Sequence, residues 1–436
     1  MQCGKIGRRF SAGVRKSVGG GSAMSDKPLR LVVLCPHFAP DIAPTGVVMT
    51  RIVHELAARG HELHVVTSLP WYRNHAIEQG WGGRLWRTEK TSWGSIIRVH
   101  PFPGKSKSNL LRRAIGFLAF SYAVGIRSVH ADGLPFKVDG VLAMSPPLTL
   151  GLTGWFTKII RRAPLVFNIQ DVFPDAAVQT GAITDRRIIA AAKWLERASY
   201  QRSDAVVLLS QDLRENIARK IAPKFHHRLH VIPNFVDTQA ITPLDRMTSY
   251  RRELGIDDRQ VVMYAGNVGF SQSLHLLVDA ARALPEIAFV INGDGAARKQ
   301  LEESCATLSN VYFANYQPIE RLSEVLATGD IHVVPLRAGL ASVSVPSKSY
   351  SILAAGRPML AAIDPGTEIP TMLANSGAGI AVEPDNSEQF TRALRSALSD
   401  PHALIQMGIA GRTWVETHAS PAAVAAQYEA IFLANR

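Results

Sequence analysis

Cysteine is scarce in this chain: Cys3, Cys35 and Cys305 are the three among 436 residues, and no two are spaced as CxxC. That excludes a disulfide framework and a paired-thiolate zinc site, and makes a reducing cytosol the expected compartment. From Leu29 onward no segment offers about 18 consecutive apolar residues free of charge, which argues against a spanning helix. GxGxxG is missing after the two glycine-bearing strands described below, and no acidic residue stands at the ribose position about 20 residues on. No DxD follows an apolar strand, so no metal or other cofactor is expected. The aromatic and Lys/Arg interleaving of a nucleic-acid module is also missing, and no nucleic-acid partner is expected. With 47% hydrophobic and 19% charged residues the chain is globular, and it is long enough for two or three domains.

What is present is unevenly charged. Residues 1–28 carry a net +5, residues 29–236 a net +13 and residues 237–436 a net −6. The first stretch is basic, Gly-Ser-rich and without a signal-peptide core, so it is set aside as a disordered extension, with Met24 a candidate start. The basic half suits an anionic surface. Leu110 to Val129 is an apolar helix punctuated by Arg112, Arg113 and Arg127, and with Lys105 and Lys107 nearby it reads as a contact to anionic lipid or as a core helix with an arginine end.

Strand and helix patterns alternate twice. Leu31–Cys35, a helix to Ala58 and Glu62–Thr67 make a βαβ unit, and strands at 138–143, 165–169, 205–209 and 229–232 continue it. After a polar, linker-like run to Asp258 the rhythm restarts with strands at 260–264, 287–291, 311–313, 331–334 and 358–362. The expected fold class is α/β, two Rossmann-like doubly wound parallel-sheet domains facing a cleft. Residues 29–236 form the first, 237–420 the second, and Pro421–Asn435 is an amphipathic helix expected to cross back to the first.

Ligands of such sheets bind beyond the carboxyl ends of strands, so the loops there are where function is sought. After the first strand, Asp41 precedes Thr45 and Gly46 at a helix start. Gln170 and Asp171 follow the strand ending at Ile169, where a carboxylate can orient a hydroxyl or cap a helix. In the second half Gly266, Asn267 and Gly269 follow one strand, Gly293 and Gly295 the next, and Tyr316-Gln317 a third. The fourth loop ends in Val345-Pro346-Ser347-Lys348 at a helix start, where hydroxyls, a lysine and free N–H groups converge as they would around a phosphate.

The ordered set PDIAPTG, VFNIQDVFPDAAV, VIPNFVD, MYAGNVG, INGDG, NYQP and VPSKSYSILAAGRP resembles the retaining family 4 glycosyltransferases of GT-B fold, in particular the bacterial branch that builds colanic acid, O-antigen and other exopolysaccharides. The resemblance runs from about Leu29 to the C-terminus. It implies a nucleotide-diphosphate sugar in the second half, against Gly266, Asn267, Gly269, Gly293, Gly295, Tyr316, Gln317 and Ser351, with Ser347 and Lys348 at the phosphates. The first half would hold a saccharide acceptor, with Thr45, Gly46 and Gln170 lining it beside Asp41 and Asp171.

Three departures stand out. The glutamates that many members carry eight apart fall on Val343 and Ser351; the basic pair of the nucleotide half falls on Asn267 and Ser271; the histidine before Asp171 is Gln170. Lys348, with Asp41 and Asp171, is therefore expected to carry catalysis, with Arg337 an alternative diphosphate partner. The resemblance implies retention of configuration; the +13 half and the Leu110 helix lead us to expect a cytoplasmic enzyme peripheral to the inner face of the plasma membrane, with a lipid-linked acceptor. Two rivals remain, a nucleotide-sugar epimerase of the same architecture and a donor-binding partner without turnover.

Overall fold

The computed structural model describes residues 27–73, 76–102, 110–131, 137–170, 172, 174–175, 185–256, 258–341 and 345–436, with the backbone alone for 110–114. Strands β1 (Arg30–Leu34), β2 (Glu62–Ser68), β3 (Trp86–Thr91), β4 (Gly94–Val99), β5 (Gly140–Ser145), β6 (Leu165–Ile169), β7 (Ala205–Leu208) and β8 (Leu229–Val231) form one sheet, in the order β3-β4-β2-β1-β5-β6-β7-β8. A second sheet contains β9 (Val261–Ala265), β10 (Ala288–Asn292), β11 (Val311–Ala314), β12 (Ile331–Pro335), β13 (Met359–Ala362) and β14 (Gly379–Val382), in the order β11-β10-β9-β12-β13-β14. Every pairing is parallel except β3 with β4. Both sheets reverse their winding beside their first strand, which sets a crevice at the carboxyl ends of β1 and β9.

The central strands are apolar on both faces because helices cover both faces. On one side of the first sheet lie α1 (Pro44–Ala58) and, from the far end of the chain, α14 (Pro421–Ala434). The other side carries α2 (Leu110–Val129), α3 (Thr149–Arg161), α4 (Arg186–Arg202) and α5 (Gln211–Ala218). The second half contributes α6 (Ser249–Glu253), α7 (His275–Ala283), α8 (Arg298–Ser304), α9 (Leu322–Thr328), α10 (Lys348–Ala354), α11 (Glu368–Ser376), α12 (Ser387–Leu398) and α13 (Pro401–His418).

Three features differ from the pattern read in the sequence. The β3–β4 hairpin was not expected, since WRTEKT is a polar edge strand with its side chains half in water. Its partner strand buries Arg98, which bonds Glu89 at 2.7 Å and the Ala39 carbonyl at 2.6 Å, so the hairpin is tied to the loop after β1. The run before Asp258 is no free linker: α6 is capped by Thr248, buries Tyr250, and sets Arg251 3.2 Å from Asp330. Helix α14 does pack on the first sheet, yet it is not narrowly amphipathic. Val424, Ala425, Tyr428, Ile431 and Phe432 are all buried, and Glu429 pairs with Arg59 and His61.

The two halves touch at the carboxyl ends of their sheets. The Asp212 carboxylate in the first turn of α5 accepts the Glu368 N–H of α11 at 3.1 Å, and the Glu368 carboxyl in turn accepts the Gln211 N–H. Each helix start thus receives a carboxyl from the opposite half, the favourable end of its dipole. Burial raises the pKa of both acids.

Candidate functional site

The loops after β9, β10 and β12 close on one point. Val268 N–H donates to the Asp294 carbonyl and Ala297 N–H to the Val268 carbonyl, each at 2.9 Å, so the two glycine loops are stitched together. The glycines are there because nothing larger fits. A Cβ on Gly293, whose φ is +152°, would lie 1.9 Å from the Gly266 carbonyl oxygen, and one on Gly295 would lie 2.3 Å from that of Val268. Bare backbone is left at the crevice, where a ligand can approach it closely.

Lys348 enters this cluster from the start of α10. Its Nζ lies 3.9 Å from the Tyr264 ring centroid and 3.7 Å from where a Gly266 Cβ would stand. The Tyr264 hydroxyl donates to the Asn267 carbonyl at 2.5 Å, which holds the ring under the lysine. Burial lowers the Lys348 pKa to about 7, and no described carboxylate offsets it. Lys348 is half-buried, and a partly desolvated cation with no counter-ion among the described residues is a site that an anion completes.

Around it, Asn267, Tyr316 and Ser347 are exposed, Gln317 and Ser351 are half-buried, and Tyr316 lies close enough to Tyr264 to raise its pKa further. Gly269 is buried, with its N–H donated to Gln272 Oε1 at 3.0 Å. Helix α10 spans seven residues and Ser347 makes no side-chain cap. Two carboxylates the sequence reading passed over hold the loop after β12. Asp364 accepts the Gly339 N–H at 2.9 Å, and Asp385 accepts the Ala338 N–H at 3.1 Å. Their signal was position, since each lies two or three residues past the end of a strand, β13 and β14.

On the facing half the structure gives Asp41, Gly46 and Gln170 close neighbours within the fold. Asp41 is buried and bonds His37 Nδ1 through Oδ2 at 2.7 Å, while its Oδ1 accepts the Tyr72 N–H at 3.3 Å. It is therefore a partner that orients His37 rather than a free acid or base. His37 stacks on Trp71, with ring centroids 5.6 Å apart. Gly46 is buried: a Cβ there would sit 2.8 Å from His37 Cβ and 3.3 Å from the Asp41 carbonyl oxygen, so this glycine lets the loop after β1 pack closely on the start of α1. Thr45 is half-buried in the first turn of α1.

Gln170 is also committed. Its Nε2 donates to Asn168 Oδ1 at 2.7 Å and its Oε1 accepts from Asn234 at 3.1 Å, while Asn168 donates to the Tyr428 hydroxyl at 2.5 Å. That chain pins the end of β6 to α14 and to the segment joining the halves, and leaves the amide little capacity for an acceptor. Asp171, Val343, Lys105 and Lys107 lie outside the described residues, as do the side chains of Arg112 and Arg113.

Residues 45–234 match the glycosyl transferase 4-like domain, and residues 259–400 match glycosyl transferases group 1. The chain belongs to the glycosyltransferases of GT-B fold. It is 25% identical over 399 residues to the putative colanic acid biosynthesis glycosyl transferase WcaI of Escherichia coli (strain K12), covering 88% of this chain and 96% of that protein. To the probable glycosyltransferase WbjE of Pseudomonas aeruginosa it is 27% identical over 308 residues, 67% of this chain and 74% of the other. Sucrose-phosphate synthase from Thermosynechococcus elongatus shares the fold with a TM-score of 0.67 at 16% identity, over 93% of this chain and all of its own. Anabaena HepE in complex with UDP does so with a TM-score of 0.64 at 13% identity, over 93% and 100%.

In this glycosyltransferase the His37–Asp41 pair was missed because a single loop histidine carries no signal until its partner four residues on is seen to face it. Asp41→Asn is expected to lower stability by about 1–3 kcal/mol, the range for weakening a buried charge-assisted bond. Urea denaturation measures that loss, and donor binding in the other half should be unchanged.

Proposed function

We propose that this glycosyltransferase moves a sugar from a nucleotide-diphosphate donor to a lipid-linked saccharide acceptor, with retention of configuration, in cell-surface polysaccharide synthesis. The observation that carries this is the Lys348 ammonium, set against bare glycine backbone at the carboxyl ends of β9 and β10 with no counter-ion among the described residues. The diphosphate completes that site. As the bond between the anomeric carbon and the phosphate oxygen breaks, negative charge grows on the leaving group, and Lys348 with neighbouring N–H groups stabilises it. The acceptor hydroxyl forms the new glycosidic bond on the same face, and its proton passes to the departing phosphate. No metal is assigned a part, since Lys348 supplies the cation.

The relatives support the polysaccharide setting by their names, WcaI in colanic acid biosynthesis above all, and the UDP complex of HepE supports a nucleoside diphosphate. The enzyme works in the cytoplasm at an anionic membrane surface, where a lipid-linked acceptor is presented; no helix among the described residues is long and apolar enough to cross a membrane. An epimerase needs free acid–base groups in the crevice, and Asp41 is already spent on His37.

Incubation with labelled nucleotide sugars and a bacterial lipid extract tests the proposal. Transfer to lipid with the anomeric configuration of the donor is expected. Release of an epimer, or donor binding with no transfer to any lipid or saccharide fraction, would count against it.

A further inference from the structure

The outer surface of the layer formed by α2, α3 and α4 has the polarity of a helix layer turned inside out. Its seams are lined by small and hydroxyl residues: Ser121 bonds Thr149 and Ser128 bonds Thr157, each at 2.6 Å, and Gly151 abuts Ser199. The face turned to solvent is apolar. On α2 the exposed stripe is Ile115, Leu118, Tyr122 and Ile126, at the spacing of one helical face, and Tyr122 is 72% exposed. On α3 the exposed stripe is Phe156, Ile159 and Ile160, and on α4 Trp194 is 64% exposed. The opposite layer, α1 and α14, exposes only Val47 and Leu433 among its large apolar side chains. An apolar patch of this extent marks a contact surface.

Charge decides what covers it. The three helices hold ten basic residues and one acidic, Glu196, which is buried and bonded to Lys220 at 2.8 Å. Arg186, Arg187, Lys193 and Arg197 rim the face on α4, and Arg127 lies 3.7 Å over the Trp86 ring on the β3 edge. A second copy docked face to face would set these cations against one another. An anionic bilayer meets both demands, taking the apolar stripes into the acyl boundary and the arginines among headgroup phosphates.

We infer that the α2–α3–α4 face is the membrane-docking surface of this protein, lying flat on anionic lipid with Leu118, Tyr122, Phe156 and Ile159 inserted. The inference extends the membrane reading above from a basic segment to a three-helix face, and its test needs no transferase activity. The full chain is sedimented with phosphatidylcholine vesicles, alone or doped with phosphatidylglycerol, at low and high salt. Binding to the doped vesicles is expected, weakened by salt, and Leu118→Glu with Ile159→Glu should reduce it about tenfold or more. Both sites are on the surface, so the melting temperature and the donor-induced shift in it should be kept. Unaltered vesicle binding by the double variant overturns the inference, as does a wild-type dimer that the same substitutions convert to monomer. Loss of the donor-induced shift in the wild type would instead strike at the proposed function and leave the docking result standing.

Discussion

Lys348→Ala is expected to lower kcat/KM by roughly 10²-fold, the size of one lost contact to charge that develops in the transition state. The reason lies in the packing. The ammonium sits over Tyr264 beside Gly266, and burial alone lowers its pKa to about 7. In the free protein the charge is therefore held at a cost, which the proposed diphosphate would offset on binding. The pH dependence follows with a definite sign. Above about pH 7 the free enzyme loses the proton, so kcat/KM should fall as pH rises through that value. Lys348→Arg, whose guanidinium stays charged, should flatten the profile even if its level is lower. Stability runs the opposite way. A lysine with a depressed folded-state pKa binds fewer protons folded than unfolded between pH 7 and its ordinary 10.5, so its contribution is lost as pH falls through that window. The alanine variant should then melt at or above the wild-type temperature at neutral pH while losing donor affinity. A lower melting temperature would mean that Lys348 serves the fold instead.

The second large effect belongs to Gly293. Alanine there places a methyl 1.9 Å from the Gly266 oxygen at a φ of +152°, so the loops after β9 and β10 must part. Strain and overpacking of this kind each cost about 1–3 kcal/mol. Since the glycine pair forms the floor beside Lys348, donor binding should be lost along with that stability. Gly377 is the matched control: its φ is +69°, but nothing lies within 4 Å of a Cβ there, and it caps α11 away from Lys348. Gly377→Ala should cost about 1 kcal/mol of backbone strain and leave donor titration unchanged. Comparable donor affinity in Gly293→Ala and Gly377→Ala would refute the floor.

The glycine loops of the second half were legible because their signals are local. Each glycine loop follows a short apolar strand directly, so position alone pointed to the carboxyl edge where Gly266, Gly293 and Lys348 converge. The first half was harder to read, since its residues act through distant partners. Gln170 looks free in sequence but is bonded to Asn168 and Asn234, and through Asn168 it is tied to Tyr428, 260 positions from Asn168. Gly46 was read only as part of a helix start, whereas its close packing against His37 and the Asp41 carbonyl was not visible. Strand β3 escaped notice because an exposed edge strand needs no apolar run, and the Arg98 that anchors its partner strand reads in sequence like any surface arginine.

The most direct measurement is calorimetric titration of the wild-type protein and Lys348→Ala with a nucleoside diphosphate and the corresponding monophosphate, for uridine and guanosine. One base should bind, the diphosphate more tightly than the monophosphate, and the alanine variant should lose that difference while keeping the monophosphate affinity. No binding of either base, or a diphosphate preference that survives the loss of Lys348, would contradict the placing of the donor diphosphate at this lysine.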